Sequence, residues 1–343
     1  MHNTKFRGLK MKKALIYLMA LLVVAGITTA AEQINYEKDT IIGQDSLKYI
    51  SNIVIDSEDR LIVGGYRSLS MFDATGKFVK NLEPGFEGTK GFQGSNDVKA
   101  VASDGSNIYV FANKMEIKEF EQKNRRYKKP VSVKVLCKVF DKNGQYSRDL
   151  DIPEMKSVRN ALISDGKLYV SDMASGKVMV MDLKSGTITS KVGERLRLCC
   201  GIFDFAVDPS SKEVLIANLG AFKVERYEAD GTKKFAFGKR GKEDSQFLGC
   251  CNPVSVAVLP SGNILTVEKD PSRVKIYTAK GELISVIDNI GELVKGCSYI
   301  PTAIDSKGNV YFGVNQQKLK KGKDGRLEVE SEDYYVIKCT KTS

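Results

Sequence analysis

The stretch Val254-Ser-Val-Ala-Val-Leu259, Pro-Ser-Gly-Asn263, Ile264-Leu-Thr-Val267, then a turn through Asp270-Pro271, Arg273-Val-Lys-Ile-Tyr277, Ala-Lys-Gly281 and Leu283-Ile-Ser-Val-Ile287 decides the fold. Its four short runs are rich in β-branched and aromatic residues, are too brief for helices, and are separated by Gly, Asp and Pro turns. They therefore read as four antiparallel strands. The same phrase begins near Ile53-Val-Ile-Asp56, Val98-Lys-Ala-Val101, Ala161-Leu-Ile163, Phe205-Ala-Val-Asp208 and Thr302-Ala-Ile-Asp305. A period of about 45–60 residues marks an array of supersecondary units, and four-strand units make it an all-β propeller. Six copies predict a six-bladed β-propeller of four-stranded antiparallel blades starting near 47, 94, 155, 198, 249 and 296, all in one domain, 32–343. The chain ends in a third strand, Tyr334-Tyr-Val-Ile-Lys-Cys339, so an N-terminal strand, Ile34 to Ile42, is expected to complete the last blade and close the ring.

One junction carries a family resemblance. Phe237-Gly-Lys-Arg-Gly241 through Ser245-Gln-Phe247, then Pro253 and Val256-Ala-Val258, resembles the linker and first strand of NHL-repeat β-propellers. The repeats cover nearly all of the chain after the leader, but the motif is complete only there. The chain thus resembles a six-bladed NHL-repeat propeller, and its export and vicinal cysteines are read from its own residues, below. The resemblance also implies a structural role for an acidic or amide residue after each second strand, here Asp172, Asn218 and Glu268, which holds the turn and faces Lys177, Lys223 or Arg273.

The N-terminus reads as a signal peptide over residues 1–31. Lys5, Arg7, Lys10, Lys12 and Lys13 precede an apolar run from Ala14 to Ile27, and Thr28-Thr29-Ala30-Ala31 supplies small residues. The run falls short of the ~20 residues that span a bilayer. The expectation is export to a periplasmic or extracellular location, with no transmembrane segment in the mature chain. Removing the leader also removes five of the basic residues behind the formal charge of +11, and it removes His2, the one histidine. Without imidazole, serine triads and His-ligated metal centres fall away. Enzymatic six-bladed propellers resembling this architecture use His ligands or bases, so the reading leans away from an enzyme.

Cysteine placement is the strongest unusual signal among seven cysteines. Cys200, Cys251 and Cys297 each stand seven positions before the matching apolar residue of a first strand, Val207, Val258 and Ile304. Two are doubled, as Cys199-Cys200 and Cys250-Cys251, so five cysteines are expected at one mouth of the central channel. Three readings stay open: structural or strained vicinal disulfides, a soft metal or iron–sulfur cluster held by thiolates, and passive packing. Cys137 and Cys339 fall in third strands and read as structural.

Two blades carry long hairpins between second and third strands. One turns through Lys123, Arg125, Arg126, Lys128 and Lys129, the other through Lys318, Lys320, Lys321, Lys323 and Arg326, and Lys239, Arg240 and Lys242 lie in a blade-linking loop. In a propeller these connections share a face with the cysteine loops. The expectation is therefore a binding or scaffold module whose electropositive face engages a protein or an anionic polymer or surface, with no cofactor required and nucleic acid not expected. The alternative is a cysteine-based redox or metal-binding protein.

Overall fold

Strands form where β-branched and aromatic residues alternate, and Asp-bearing turns break them. In these turns the side-chain carboxylate accepts backbone N–H groups two and four positions on: Asp73 from Thr75 and Lys77, Asp141 from Asn143 and Gln145, and Asp305 from Lys307 and Asn309. A computed structural model describes residues 34–83, 85, 97–122, 125–287, 290, 293, 298–321 and 327–342. Residues 1–31, expected from the sequence to be a signal peptide, and Lys123, Cys297, Lys323 and Arg326 lie outside the described residues.

The first strand, β1 (Asn35–Ile42), is followed by five consecutive four-stranded antiparallel sheets. They are β2–β5 (Ile50–Ile55, Leu61–Gly65, Ser68–Phe72, Phe78–Asn81), β6–β9 (Ala100–Ser103, Asn107–Gln122, Arg125–Asp141, Tyr146–Leu150), β10–β13 (Val158–Ser164, Lys167–Asp172, Lys177–Asp182, Ile188–Val192), β14–β17 (Phe205–Val207, Val214–Asn218, Lys223–Tyr227, Lys233–Phe237) and β18–β21 (Ser255–Val258, Ile264–Glu268, Arg273–Tyr277, Leu283–Ile287). The sixth sheet joins β22 (Thr302–Ile304), β23 (Val310–Lys321) and β24 (Leu327–Thr342) to β1, in the order β1-β24-β23-β22. First strands contact one another in the cycle β2, β6, β10, β14, β18, β22 and back to β2. The protein is thus a six-bladed β-propeller whose last blade takes its outer strand from the N-terminal side.

Closure is held by more than strand pairing. Asn35 to Ile42 pair with Thr342 to Val336, the Tyr36 hydroxyl donates to the Gly308 carbonyl at 2.9 Å, and the Ile34 N–H donates to Ser285 Oγ of blade 5 at 2.9 Å. Burial peaks in the middle strands of the blades and is lowest in the outer ones. Second strands such as β15 and β19 are buried throughout, because neighbouring blades cover both faces, whereas the outer strands β5 and β9 are mostly exposed. The core is accordingly a series of blade-to-blade layers. Tyr169, Val178 and Val180 of blade 3, for instance, pack on Phe205, Val214 and Ile216 of blade 4. Each such side chain contributes roughly 1.5–3 kcal/mol by burial. Gly281 marks one tight approach between blades: its φ is +85°, and a Cβ there would lie 2.4 Å from the Phe237 ring.

Candidate functional site

Five of the six blades fasten the linker or strand beside the top of their second strand with a polar side chain placed there. Asp172 Oδ1 accepts the backbone N–H groups of Lys156 (3.1 Å) and Ser157 (2.7 Å), Asn218 Oδ1 accepts that of Arg197 (2.8 Å), and Glu268 Oε2 accepts that of Leu248 (2.7 Å). Each therefore pins the linker entering its own blade. Glu268 is fully buried between Arg273 Nη2 at 3.0 Å and Lys275 Nζ at 2.7 Å, and this leaves no carboxylate of Glu268 directed at the channel mouth. In the two blades with long hairpins the device differs. Asn113 accepts the Val158 N–H (2.8 Å) and donates to its carbonyl (3.3 Å), and Asn315 does the same with Ile50 (2.8 Å both ways). Both asparagines sit where a second strand leaves the blade to become a hairpin, and each grips the first strand of the next blade.

A polar layer crosses the channel below these linkers. Asp204 Oδ1 accepts the Tyr299 hydroxyl at 2.9 Å and the Asn160 amide at 2.6 Å, while Oδ2 accepts the Val256 N–H at 2.9 Å. Asn160 Oδ1 accepts the Asn52 amide at 3.1 Å, and Asn52 Oδ1 accepts the Val101 N–H at 3.0 Å. One connected set of hydrogen bonds therefore touches all six blades or the linkers entering them. Burial pushes the Asp204 carboxyl up to about 6, although the Val256 N–H and the Tyr299 and Asn160 donors pull the other way. Burial and the adjacent Asp204 charge push the Tyr299 hydroxyl well up.

The layer separates two cavities. Below it, first-strand residues such as Ile53, Val101, Leu162 and Ile304 line a space of about 440 Å³. Above it, a mouth cavity of about 270 Å³ is lined by Tyr49, Ser51, Lys99, Arg159, Cys200 to Phe203, Ser298 and Tyr299. Lys99 is held by Asp97 at 3.1 Å, but Arg159 is exposed and forms no ion pair among the described residues. Its guanidinium lies over Gly201, where a Cβ would come within 2.9 Å of Nη2.

Four of the cysteines predicted at the mouth have described positions. Cys199 Sγ is 3.2 Å from Cys200 Sγ and 2.8 Å from Cys251 Sγ, and Lys269 Nζ lies 3.9 Å from Cys200 Sγ. Sulfurs of Cys199, Cys200 and Cys251 all fall within 4.8 Å of one another. Cys200 is disulfide-bonded, whereas Cys199, Cys250 and Cys251 are free thiols, so neither vicinal pair is joined as a disulfide. Burial, with the neighbouring thiols of Cys199 and Cys250, pushes the Cys251 thiol up to about 12. Cys137 in β8 and Cys339 in β24 are buried free thiols in the third strands of blades 2 and 6.

Contacts place the bases of the two hairpins and the blade-linking basic run. The base of the blade 2 hairpin (Met115, Pro130, Ser132) shares a cavity of about 490 Å³ with Arg159 and Gly201. Tyr334, at the base of the blade 6 hairpin, packs edge-on against Tyr49 of the mouth, 6.3 Å between centroids. Lys239, Arg240 and Lys242 are exposed in the linker leading to Cys250, with Arg240 over the Phe222 ring at 5.3 Å. Charge pairing across the hairpins differs between them. In blade 2, Glu119 and Glu121 stand opposite Lys128 and Arg126 in the ladder, Arg126 and Glu121 are 3.7 Å apart, Lys129 lies over Phe120 at 4.6 Å, and Arg125 faces Gln122. In blade 6, β24 is strongly acidic, with Lys320 opposite Glu328 in the ladder and Lys318 opposite Ser331, between Glu330 and Glu332 in sequence. The net positive excess among described hairpin residues is therefore on blade 2.

Sequence reasoning did not single out Asp204, Asn160, Asn52, Tyr299 or Arg159. Their signal was a polar residue at the start of an otherwise apolar first strand, as in Asp204-Phe-Ala-Val207 and Arg159-Asn160-Ala161. The residue type changes from blade to blade, so no repeat exposes it.

No family model matches the chain. Among curated proteins, it is 29% identical over 118 residues to Protein brain tumor of Drosophila melanogaster, a match that covers 29% of this chain and 11% of that protein. Among solved structures, it is similar to a chain in the crystal structure of the mitotic checkpoint complex (TM-score 0.51, 14% identity, 86% of this chain and 84% of that one). It is likewise similar to the WD40 β-propeller domain of Doa1 (TM-score 0.50, 11% identity, 89% and 97%). These likenesses carry the propeller fold. No helix among the described residues is long and apolar enough to cross a membrane.

Proposed function

We propose that this protein is an exported propeller that binds an anionic side chain or chain segment of a protein partner at the channel mouth, with the blade 2 hairpin and the Lys239 to Lys242 linker adding attraction around it. One observation carries this reading. Arg159 stands exposed over a cavity of about 270 Å³, with Lys99 beside it and no carboxylate in ion-pair reach of its guanidinium among the described residues. A cavity of this size lies near the lower end of small-molecule sites, and it suits a carboxylate-bearing side chain better than a large cofactor. Guanidinium favours bidentate capture of planar oxyanions, and Tyr49 and Tyr299 supply apolar walls. The polar layer below keeps the cavity floor rigid. The basic, apolar and small-residue order of residues 1–31 supports export, and the resemblance to NHL repeats supports a binding rather than a catalytic role.

The test uses poly-L-glutamate as the probe and the full mature chain on a biosensor surface. Binding should weaken at least tenfold between 50 and 200 mM NaCl, and several-fold when Arg125, Arg126, Lys128 and Lys129 are replaced together by Ala. Binding that ignores both salt and these substitutions overturns the electrostatic reading.

A further inference from the structure

The cysteine cluster borders the anion site, since Cys200 lines the same mouth cavity as Arg159. We propose that Cys199, Cys200 and Cys251 form a thiol–disulfide exchange centre, in which Cys199 relays the disulfide of Cys200 to Cys251 and so creates a reversible cross-link between the loops entering blades 4 and 5.

Distances separate this from the other uses of clustered cysteines. Thiolates around a tetrahedral zinc, with Zn–S near 2.3 Å, stand about 3.8 Å apart. Thiols that merely pack keep van der Waals separation, about 3.5–4.0 Å even for the smaller carbon atom. Cys199 and Cys251 are closer than either, at 2.8 Å, and Cys199 is 3.2 Å from a sulfur that is already in a disulfide. Cys199 therefore lies between a thiol and a disulfide, within approach distance of both. The backbone fixes it there. Cys200 and Gly201 are successive left-handed residues (φ 56° and 67°), and the turn is closed by the Ile202 N–H donating to the Cys199 carbonyl at 3.0 Å. A non-glycine residue in this region is uncommon and persists where its surroundings impose it.

The exchange balances without an added oxidant. The Cys199 thiolate attacks Cys200 Sγ, forming a Cys199–Cys200 bond and releasing the former partner of Cys200 as a thiolate that takes up a proton. The Cys251 thiolate, having lost its proton to solvent, then attacks Cys199 Sγ. That forms the Cys199–Cys251 disulfide and releases Cys200 as a thiolate. Two thiols are oxidised and one disulfide is reduced to two thiols. The released Cys200 thiolate would be stabilised by Lys269, whose ammonium is 3.9 Å away. The strained vicinal intermediate is short-lived, since adjacent cysteines bring their Cα atoms only ~3.8 Å apart. Because Cys200 and Cys250 are exposed, the centre is open to thiols and disulfides of a partner chain or of glutathione size.

The test is disulfide mapping of the intact protein. It is incubated anaerobically at pH 8 with no added oxidant, quenched with acid at intervals, alkylated with N-ethylmaleimide, digested without reduction and read by mass spectrometry. A cross-linked peptide joining Cys199 to Cys251 should appear, matched by an equal gain of alkylation at Cys200. In Cys199→Ser, with an unchanged circular dichroism spectrum as the check on folding, loss of the Cys200 disulfide should slow at least tenfold. Full alkylation of Cys199 and Cys251 at every time point, with no cross-link, overturns the proposal. So does exchange at Cys200 that is equally fast in Cys199→Ser, or stoichiometric zinc uptake that protects Cys199 and Cys251 from alkylation while no cross-link forms.

Discussion

The Tyr299 hydroxyl donates a 2.9 Å hydrogen bond to Asp204 Oδ1, and the carboxylate that receives it also holds the blade 5 first strand through the Val256 N–H. Tyr299 lines the mouth cavity and Asp204 lines the space below, so this bond lies across the partition between them. Buried polar groups of this kind are tolerable only when each has a partner, and here the donors outnumber the acceptor atoms.

Asp204→Ala should therefore cost more than the lost bonds. It leaves the Tyr299 hydroxyl, the Asn160 amide and the Val256 N–H facing an apolar gap, and a loss of about 3 kcal/mol is expected from stranded buried donors. Urea unfolding at pH 7 measures it. A loss below 1 kcal/mol would show that the layer is not structural.

Asp204 also gives stability an unusual pH slope. Its folded carboxyl titrates at about 6, against an ordinary 3.8, so between these values the folded chain keeps a proton that the unfolded chain has lost. Stability from this residue is thus fullest below pH 3.8, falls as pH rises toward 6 by roughly 3 kcal/mol at 1.36 kcal/mol per unit, and is level above. Comparing wild type with Asp204→Asn across pH 4 to 7 isolates the slope, which should vanish in the variant. Identical slopes would contradict the burial argument.

The opposite sign is expected at the other end of blade 4. Arg226 is buried and holds Asp208 at 2.7 Å, and it also pairs with Glu213, which Lys234 contacts in turn. Burial alone would raise both carboxyls, but hydrogen bonds from Ser210 to Asp208, and from Lys234 and Arg226 to Glu213, outweigh it and both are lowered. Their contribution is present above the unfolded carboxylate range and is lost as pH falls through their lowered folded values. Arg226→Ala leaves Asp208 without a counter-charge and Glu213 with Lys234 alone, and should destabilise by about 3 kcal/mol, read as a fall in the urea midpoint.

Asn113 and Asn315 each hold both main-chain groups of one residue in the next blade. Replacing either by Ala should cost about 1–3 kcal/mol and increase amide hydrogen exchange at Val158 or Ile50 respectively. Exchange that stays unchanged at these two positions would show that strand pairing alone holds the hairpin blades to their neighbours.

The ring was legible because its signal is repetition. Strand, turn and strand recur often enough that the clear fifth copy teaches the reader where the faint first three lie, and the missing strand at Tyr334 to Cys339 points to Ile34 to Ile42. The cysteine register was legible for the same reason, by counting from Val207 and Val258. Asp204 and Arg159 were not, since each breaks the repeat instead of obeying it. The hairpin charges were read from one strand at a time. Their pairing depends on register, set by the bulges at Lys114/Met115 and Lys318/Leu319, which decide that Glu119 and Glu328 fall opposite Lys128 and Lys320. A run of lysines does not disclose what lies across from it.

The central claim is that an anionic group is captured at Arg159. It is tested most directly by calorimetric titration of poly-L-glutamate into wild type, Arg159→Ala and Arg159→Lys at 50 mM NaCl. The account predicts that affinity falls about tenfold in Arg159→Ala, that Arg159→Lys recovers only part of it because an ammonium lacks the bidentate fork, and that all three proteins unfold at the same urea concentration. Equal affinity in wild type and Arg159→Ala would contradict it and leave the mouth cavity without a role in binding.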